Sequence, residues 1–233
     1  LGDVEIDYSG SGKYLTFGAL LTQKSLIDLT TRRQPTNIVG YSQSIKDGNQ
    51  GFNATGTTPK VVYDTAELID ITKPFTIKWK GIQNTLSNNK TVFTLKTTST
   101  NALQFIHVNA AAYKDIQWGG GVFSDYRSDF SESVTDMHEY SLYYNGNGDS
   151  ASNFVFKLNG KVKTVTAGGA LSAASNVTCI ANRDNGNLSY EGWLEYVFVY
   201  NKNLNGIDGR SPYQILKPKT APVYFTAEAV APV

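Results

Sequence analysis

Cysteine is nearly missing from the chain: Cys179 stands alone in 233 residues. An intrachain disulfide and a thiolate metal cluster are therefore excluded, and one thiol suits assembly in a reducing cytoplasm. Histidine is almost as scarce, with only His107 and His138. Together with one cysteine they form no zinc pattern. No apolar run reaches the length of a membrane-spanning helix. The start, Leu1-Gly-Asp-Val-Glu-Ile-Asp, lacks the basic residues and apolar block of a signal peptide. An excess of either charge is also absent. The formal net charge is +1, and no run of basic residues exceeds Arg32-Arg33, which argues against the clustered basic surface that nucleic acid requires. An apolar period of 3.6 sustained over three turns is not found either, so helices are not the building material.

Strands are. The chain is organised around Trp193-Leu-Glu-Tyr-Val-Phe-Val-Tyr200, preceded by Gly192 and followed by Asn201. Its last five positions are all aromatic or β-branched. Strict alternation puts Trp193, Glu195, Val197 and Val199 on one face and Leu194, Tyr196, Phe198 and Tyr200 on the other. A strand apolar on both faces is buried between layers. Phe75-Thr-Ile-Lys-Trp-Lys80 alternates cleanly and predicts a half-buried strand. Further strands are expected at 61–63, 91–96, 102–108, 113–118, 138–144, 153–158, 161–165 and 176–181. Asn159-Gly160 is the strongest hairpin signal. About ten strands predict two packed antiparallel sheets. Residues 31–58, polar with few apolar anchors, predict loops and short edge strands. A short helical turn is expected within 205–216.

Three segments follow from this. Residues 1–19 form an N-terminal arm, 20–216 one domain, and 217–233 an extended tail punctuated by Pro218 and Pro222. The tail, with Tyr213 before it and the β-prone Val223, Tyr224 and Phe225 within it, is expected to reach a neighbour or pair with an edge strand.

Gln50-Gly-Phe-Asn-Ala-Thr-Gly56, Leu68-Ile-Asp-Ile-Thr-Lys-Pro-Phe-Thr-Ile-Lys-Trp-Lys80, Lys157-Leu-Asn-Gly160 and Tyr190 to Leu204 occur in an order that resembles laminin-G-like domains of the concanavalin A-like lectin and glucanase superfamily. The resemblance implies an all-β fold, a two-sheet antiparallel jelly-roll sandwich with extended N- and C-terminal arms. The ending, Ser211-Pro-Tyr-Gln-Ile-Leu-Lys-Pro-Lys219 and Val223-Tyr-Phe225, resembles the close of such domains in bacteriophage structural proteins. That resemblance implies a capsid decoration or head or tail fibre protein on the virion surface. Its partners would be major capsid or tail proteins and further copies of itself.

Catalytic and cofactor chemistry is not expected. Superfamily glucanases carry Glu-x-Asp-x-Glu on one strand, because two carboxyls must flank one glycosidic bond. The nearest fragment, Glu5-Ile-Asp7, has Ser9 in the third place. A Gly-x-Ser-x-Gly elbow does not occur. His107 reads as a satisfied sheet histidine and His138 as a loop residue. Asp125, Asp129, Asp136, Asp149 and Asp184 are turn aspartates without the Asp-x-Asp-x-Asp run of a calcium loop. Four Asn-x-Ser/Thr sequences, at Asn53, Asn89, Asn176 and Asn187, are expected by chance in so Asn- and Thr-rich a chain. Sugar recognition is the alternative function: Trp118, Tyr113 and Tyr126, flanking Gly119-Gly-Gly121, would form a stacking platform for a glycan.

Overall fold

A computed structural model describes residues 4–21, 26–46, 48–54, 58–83, 90–110, 113–133, 135–183, 190–207 and 212–218. Eighteen strands run through them in chain order: β1 (Val4–Ile6), β2 (Leu15–Leu20), β3 (Asn37–Val39), β4 (Tyr41–Lys46), β5 (Asn49–Ala54), β6 (Lys60–Tyr63), β7 (Phe75–Gln83), β8 (Lys90–Leu95), β9 (Leu103–Ala110), β10 (Tyr113–Gly119), β11 (Tyr126–Phe130), β12 (His138–Tyr144), β13 (Phe154–Leu158), β14 (Lys161–Lys163), β15 (Thr166–Ala167), β16 (Thr178–Ile180), β17 (Gly192–Tyr200) and β18 (Leu216–Pro218). The expected strands are all present. Beside them stand β3, β4 and β5 in the polar stretch 31–58, and β1, β2, β11, β15 and β18. The expected helical turn is a single 3-10 turn, Pro212–Ile215.

Two antiparallel sheets stack as a sandwich. The first has the order β14-β13-β12-β7-β17-β5-β4, with β2 also pairing β17; the second has the order β15-β11-β10-β9-β8-β16-β6-β3. Apolar side chains of both inner faces fill the space between them. Trp79 of β7 is its centre: it stacks on Tyr140 at 4.9 Å and meets Phe93 and Phe105 of the opposite sheet edge-on, each at 5.3 Å. Offset and edge-to-face arrangements of this kind suit the ring quadrupoles. The β13–β14 hairpin turns through Asn159 (φ 50°) and Gly160 (φ 78°), the two left-handed positions that Asn-Gly supplies at low cost.

β17 is buried along its whole length, with the expected faces from Tyr196 to Tyr200 but not before that. The pairing with β7 shifts register between Leu194 and Tyr196. This bulge flips the remaining residues by one position, so Leu194 joins Val197 and Val199 in the central core. Tyr196, Phe198 and Tyr200 point the other way, into a second cluster with Ile6, Leu15, Leu20, Leu29, Tyr143, Leu204 and Ile215. Trp193 lies over Gly51, where a Cβ would sit 2.2 Å from the indole; only glycine allows that approach.

The second cluster explains where the chain ends go. β1 pairs β18 in a small separate sheet, Val4 opposite Pro218 and Ile6 opposite Leu216, and Ile6 and Leu216 pack into the second cluster. The segment expected as an N-terminal arm carries strands that join the fold, with β2 laddered onto β17 from Tyr196↔Leu20 to Tyr200↔Leu15. The half-buried reading of β7 is corrected too. Thr76 and Lys78 on its outer side are 0% and 5% exposed. The Thr76 hydroxyl donates to the Lys202 carbonyl at 2.7 Å and accepts from the Leu204 N–H at 2.9 Å. The tail beyond Pro218, with Val223, Tyr224 and Phe225, lies outside the described residues.

Candidate functional site

The sugar platform foreseen at Trp118 is not formed. Trp118 is 0% exposed, stacked on Phe156 at 5.7 Å and edge-on to Phe154 at 5.8 Å, so no ring face is open to a ligand. β10 points it inward, because Ile116 and Trp118 alternate with the outward Asp115 and Gln117. Tyr126 is buried too, at 5%, and its hydroxyl donates to Asp149 Oδ1 at 2.6 Å. Burial, then the adjoining Asp149 carboxylate, push its phenol up to about 12. Tyr113 opens β10 opposite Ala110; its side chain lies outside the described residues, as does that of Tyr213.

What surrounds Gly119–Gly121 is a set of loops tied by aspartates. Asp125 Oδ1 accepts from the Gly120 N–H at 2.9 Å and Oδ2 from the Leu171 N–H at 2.6 Å. Asp149 Oδ2 accepts from the Ser124 N–H at 2.9 Å and its hydroxyl at 2.7 Å. Burial works against ionisation of Asp149, but the bonds from Tyr126 and Ser124 outweigh it and hold the carboxyl below its ordinary value. Both oxygens of each carboxylate are thus occupied by the protein's own donors. Asp136 lies in a turn, its N–H bonded to the Ser133 carbonyl, and Asp184 lies outside the described residues. Among the described residues no three His, Cys, Asp or Glu side chains converge as metal ligands.

The histidines are structural. His107 is 1% exposed and lies edge-on to Tyr140 at 5.5 Å and Tyr190 at 5.9 Å. Burial, helped by His138, lowers it to about 3. It is not a satisfied sheet histidine, because Nδ1 has no hydrogen-bond partner. His138 opens β12 rather than lying in a loop; Nε2 bonds the Ser133 carbonyl at 2.8 Å and Nδ1 bonds Asn159 at 3.0 Å. Glu5 pairs with Lys217 at 3.3 Å and Asp7 accepts from Ser9, so the one acidic fragment of the sequence braces the terminal strands. The carboxyl raised toward neutrality is Asp115, pushed by burial to about 6. It is 0% exposed, on the outer face of the second sheet, with Gln117 Nε2 at 3.2 Å and Arg127 at 3.9 Å.

A cleft opens at the loop end, where β2 and β7 begin and β17 ends. Its volume is about 240 Å³, and it is lined by Thr16, Glu67, Leu68, Asp70, Lys73, Pro74, Phe75 and Asn201. Phe75 fixes its floor by packing on Tyr144 at 5.0 Å and Phe123 at 6.4 Å. Pro74 and Glu67 are exposed on its walls, and Asn201 at its rim. Asp70 accepts from the Thr72 N–H at 3.0 Å and hydroxyl at 2.7 Å and pairs with Lys73 at 2.9 Å. Those contacts, Lys73 foremost, hold its carboxyl down at about 2. Both of its oxygens are thus engaged, Oδ1 by Thr72 and Oδ2 by Lys73. Sequence reasoning passed these residues over because Asp-x-Thr and Lys-Pro resemble any surface turn; only the fold brings Asn201 and Thr16 beside them.

No family model matches the sequence, and no curated protein matches it in sequence. The fold has structural relatives. Domain 4 of AbnA, a GH43 extracellular arabinanase from Geobacillus stearothermophilus, in complex with arabinotriose, superposes with a TM-score of 0.57 at 11% identity, over 86% of this chain and 96% of that one. The binding domain of Paraclostridial Mosquitocidal Protein 1 gives 0.56 at 10% identity over 83% of this chain and 50% of that one. Trypanosoma rangeli sialidase with 2,3-difluorosialic acid gives 0.56 at 13% identity over 83% of this chain and 31% of that one. The chain thus spans about half of the toxin domain and a third of the sialidase, but nearly all of the arabinanase domain. At these identities the likeness establishes the fold, an all-β sandwich.

Proposed function

We propose that this chain is a non-enzymatic carbohydrate-binding module of the adhesion type, and that the loop-end cleft takes a neutral oligosaccharide. The observation that carries the reading is the lining of that cleft. Thr16, Glu67, Asp70 and Asn201 set hydrogen-bonding groups around one opening, and exposed Pro74 offers a small apolar surface for sugar C–H groups. Two carboxylates against the single ammonium of Lys73 repel anionic sugars. The near end-to-end likeness to a domain that holds arabinotriose supports the same class of ligand. The test is a glycan array of neutral and sialylated oligosaccharides, followed by calorimetry on the best binder. Wild type binds neutral glycans, and Glu67→Gln with Asn201→Ala weakens binding about tenfold or more. A silent array, or binding untouched by both substitutions, removes the reading.

A second reading is a structural role on a bacteriophage virion, as a capsid decoration or head or tail fibre protein that grips capsid or tail subunits. It is supported by β18, which ends at Pro218 and leads straight into the β-prone, nearly uncharged segment 219–233. Truncation after Pro218 then abolishes attachment to particles while the sandwich still folds; attachment unchanged by truncation counts against it.

A further inference from the structure

The two lateral sides of the sandwich are finished differently. On one side the outermost strands are β14 and β15. There exposed Val162 stands between Lys161 and Lys163, and Lys163 pairs with Glu132 at 2.6 Å. Charge placed so is a common guard against strand-to-strand association. On the other side the outermost strands are β3 and β4, one from each sheet. They are joined by Gly40 alone, with φ 60°. From Asn37 to Ile45 this strip carries no charged residue, and Ile38, Val39 and Ile45 are 47%, 39% and 69% exposed. Side chains alternate along β4, so Ile45 shares a face with Tyr41. Tyr41 packs on the core residue Phe52 at 5.1 Å, so Ile45 is a core-side position that nonetheless stays largely exposed.

We propose that the β3–β4 side is the interface of a homodimer, in which β4 pairs antiparallel with β4 of a second copy. The occupant is this chain itself because an isologous contact needs only a surface compatible with itself. An uncharged strip meets its copy without repulsion, whereas the Lys161–Lys163 edge would oppose its own. With Gln43 on the two-fold axis, Ile45 of each copy lies opposite Tyr41 of the other. Both sheets then continue across the interface, and the exposed aliphatics are buried. The inference rests on neither reading of the function.

Sedimentation of the full chain over a concentration series tests it. Wild type forms dimers, and Ile45→Lys raises the dimer dissociation constant by about 100-fold, since an ammonium group is driven into each of the two apolar Ile45–Tyr41 contacts. Val162→Lys leaves it unchanged, and circular dichroism reports that each variant is folded. A wild-type monomer at every concentration overturns the proposal. So does a dimer that survives Ile45→Lys, or one abolished only by truncation after Pro218, which would make the tail the contact.

Discussion

β17 has a core on each side, and the two differ in how they are closed. The inner one lies between two full sheets and is built of large rings from many strands, centred on Trp79. The outer one, around Tyr196, Phe198 and Tyr200, is roofed by chain ends: the three-residue strands β1 and β18, the 3-10 turn Gly10–Tyr14, and residues near Leu204 and Ile215. Burial is equally complete in both, since Val197 and Phe198 are each 0% exposed. What differs is the ability to relax. A cavity under a short roof can close as the roof sinks, whereas one between two laddered sheets cannot, and residual cavity volume sets much of the cost of truncation.

Three experiments press on that difference. Trp79→Ala should be the most damaging, lowering stability by about 4–5 kcal/mol and collapsing the whole cooperative transition in a denaturant melt. Phe198→Ala removes a comparable area but should cost about 3 kcal/mol. Hydrogen exchange should then show β1 and β18 opening well below the global transition while the Trp79 region stays protected. Equal losses from the two substitutions would mean that the roof is as rigid as a sheet. The smallest effect concerns pH. His107, lowered to about 3 by burial, refuses a proton that the unfolded chain accepts below 6.5, so its contribution to stability falls as pH drops through that range. Asp115, raised by burial to about 6 from 3.8, keeps a proton that the unfolded chain releases. Its contribution is complete below 3.8 and is lost as pH rises through 6. The slopes are opposite in sign and offset one another between about pH 4 and 6. Asp115→Asn removes one of them, so that variant should lose stability more steeply than wild type on acidification from pH 6 to 4, measured by urea titration; parallel pH profiles would refute the compensation.

Strands with strong local signals were legible in the sequence. The clean alternation of β7, the Asn159-Gly160 turn and the dense β17 each carry their signal within a few residues, and the polar stretch 31–58 did yield edge strands. What was lost is non-local. The bulge between Leu194 and Tyr196 leaves no mark in composition, yet it decides which rings face which core. Trp118 looked available beside three glycines because the rings it stacks on, Phe154 and Phe156, are more than thirty residues away. The loop-end cleft was illegible for the same reason: Thr16, Asp70 and Asn201 are ordinary turn and strand-end residues until the sheets bring them together.

The pairing of Val4 with Pro218 has a mechanical consequence. A load applied through the two flanking ends meets the small β1–β18 ladder at its open end, so the rungs part singly, in the manner of a zip, and do not share the force. The domain should therefore pay out a short length of slack at low tension, uncovering Tyr196, Phe198 and Tyr200, before the main sandwich bears any strain.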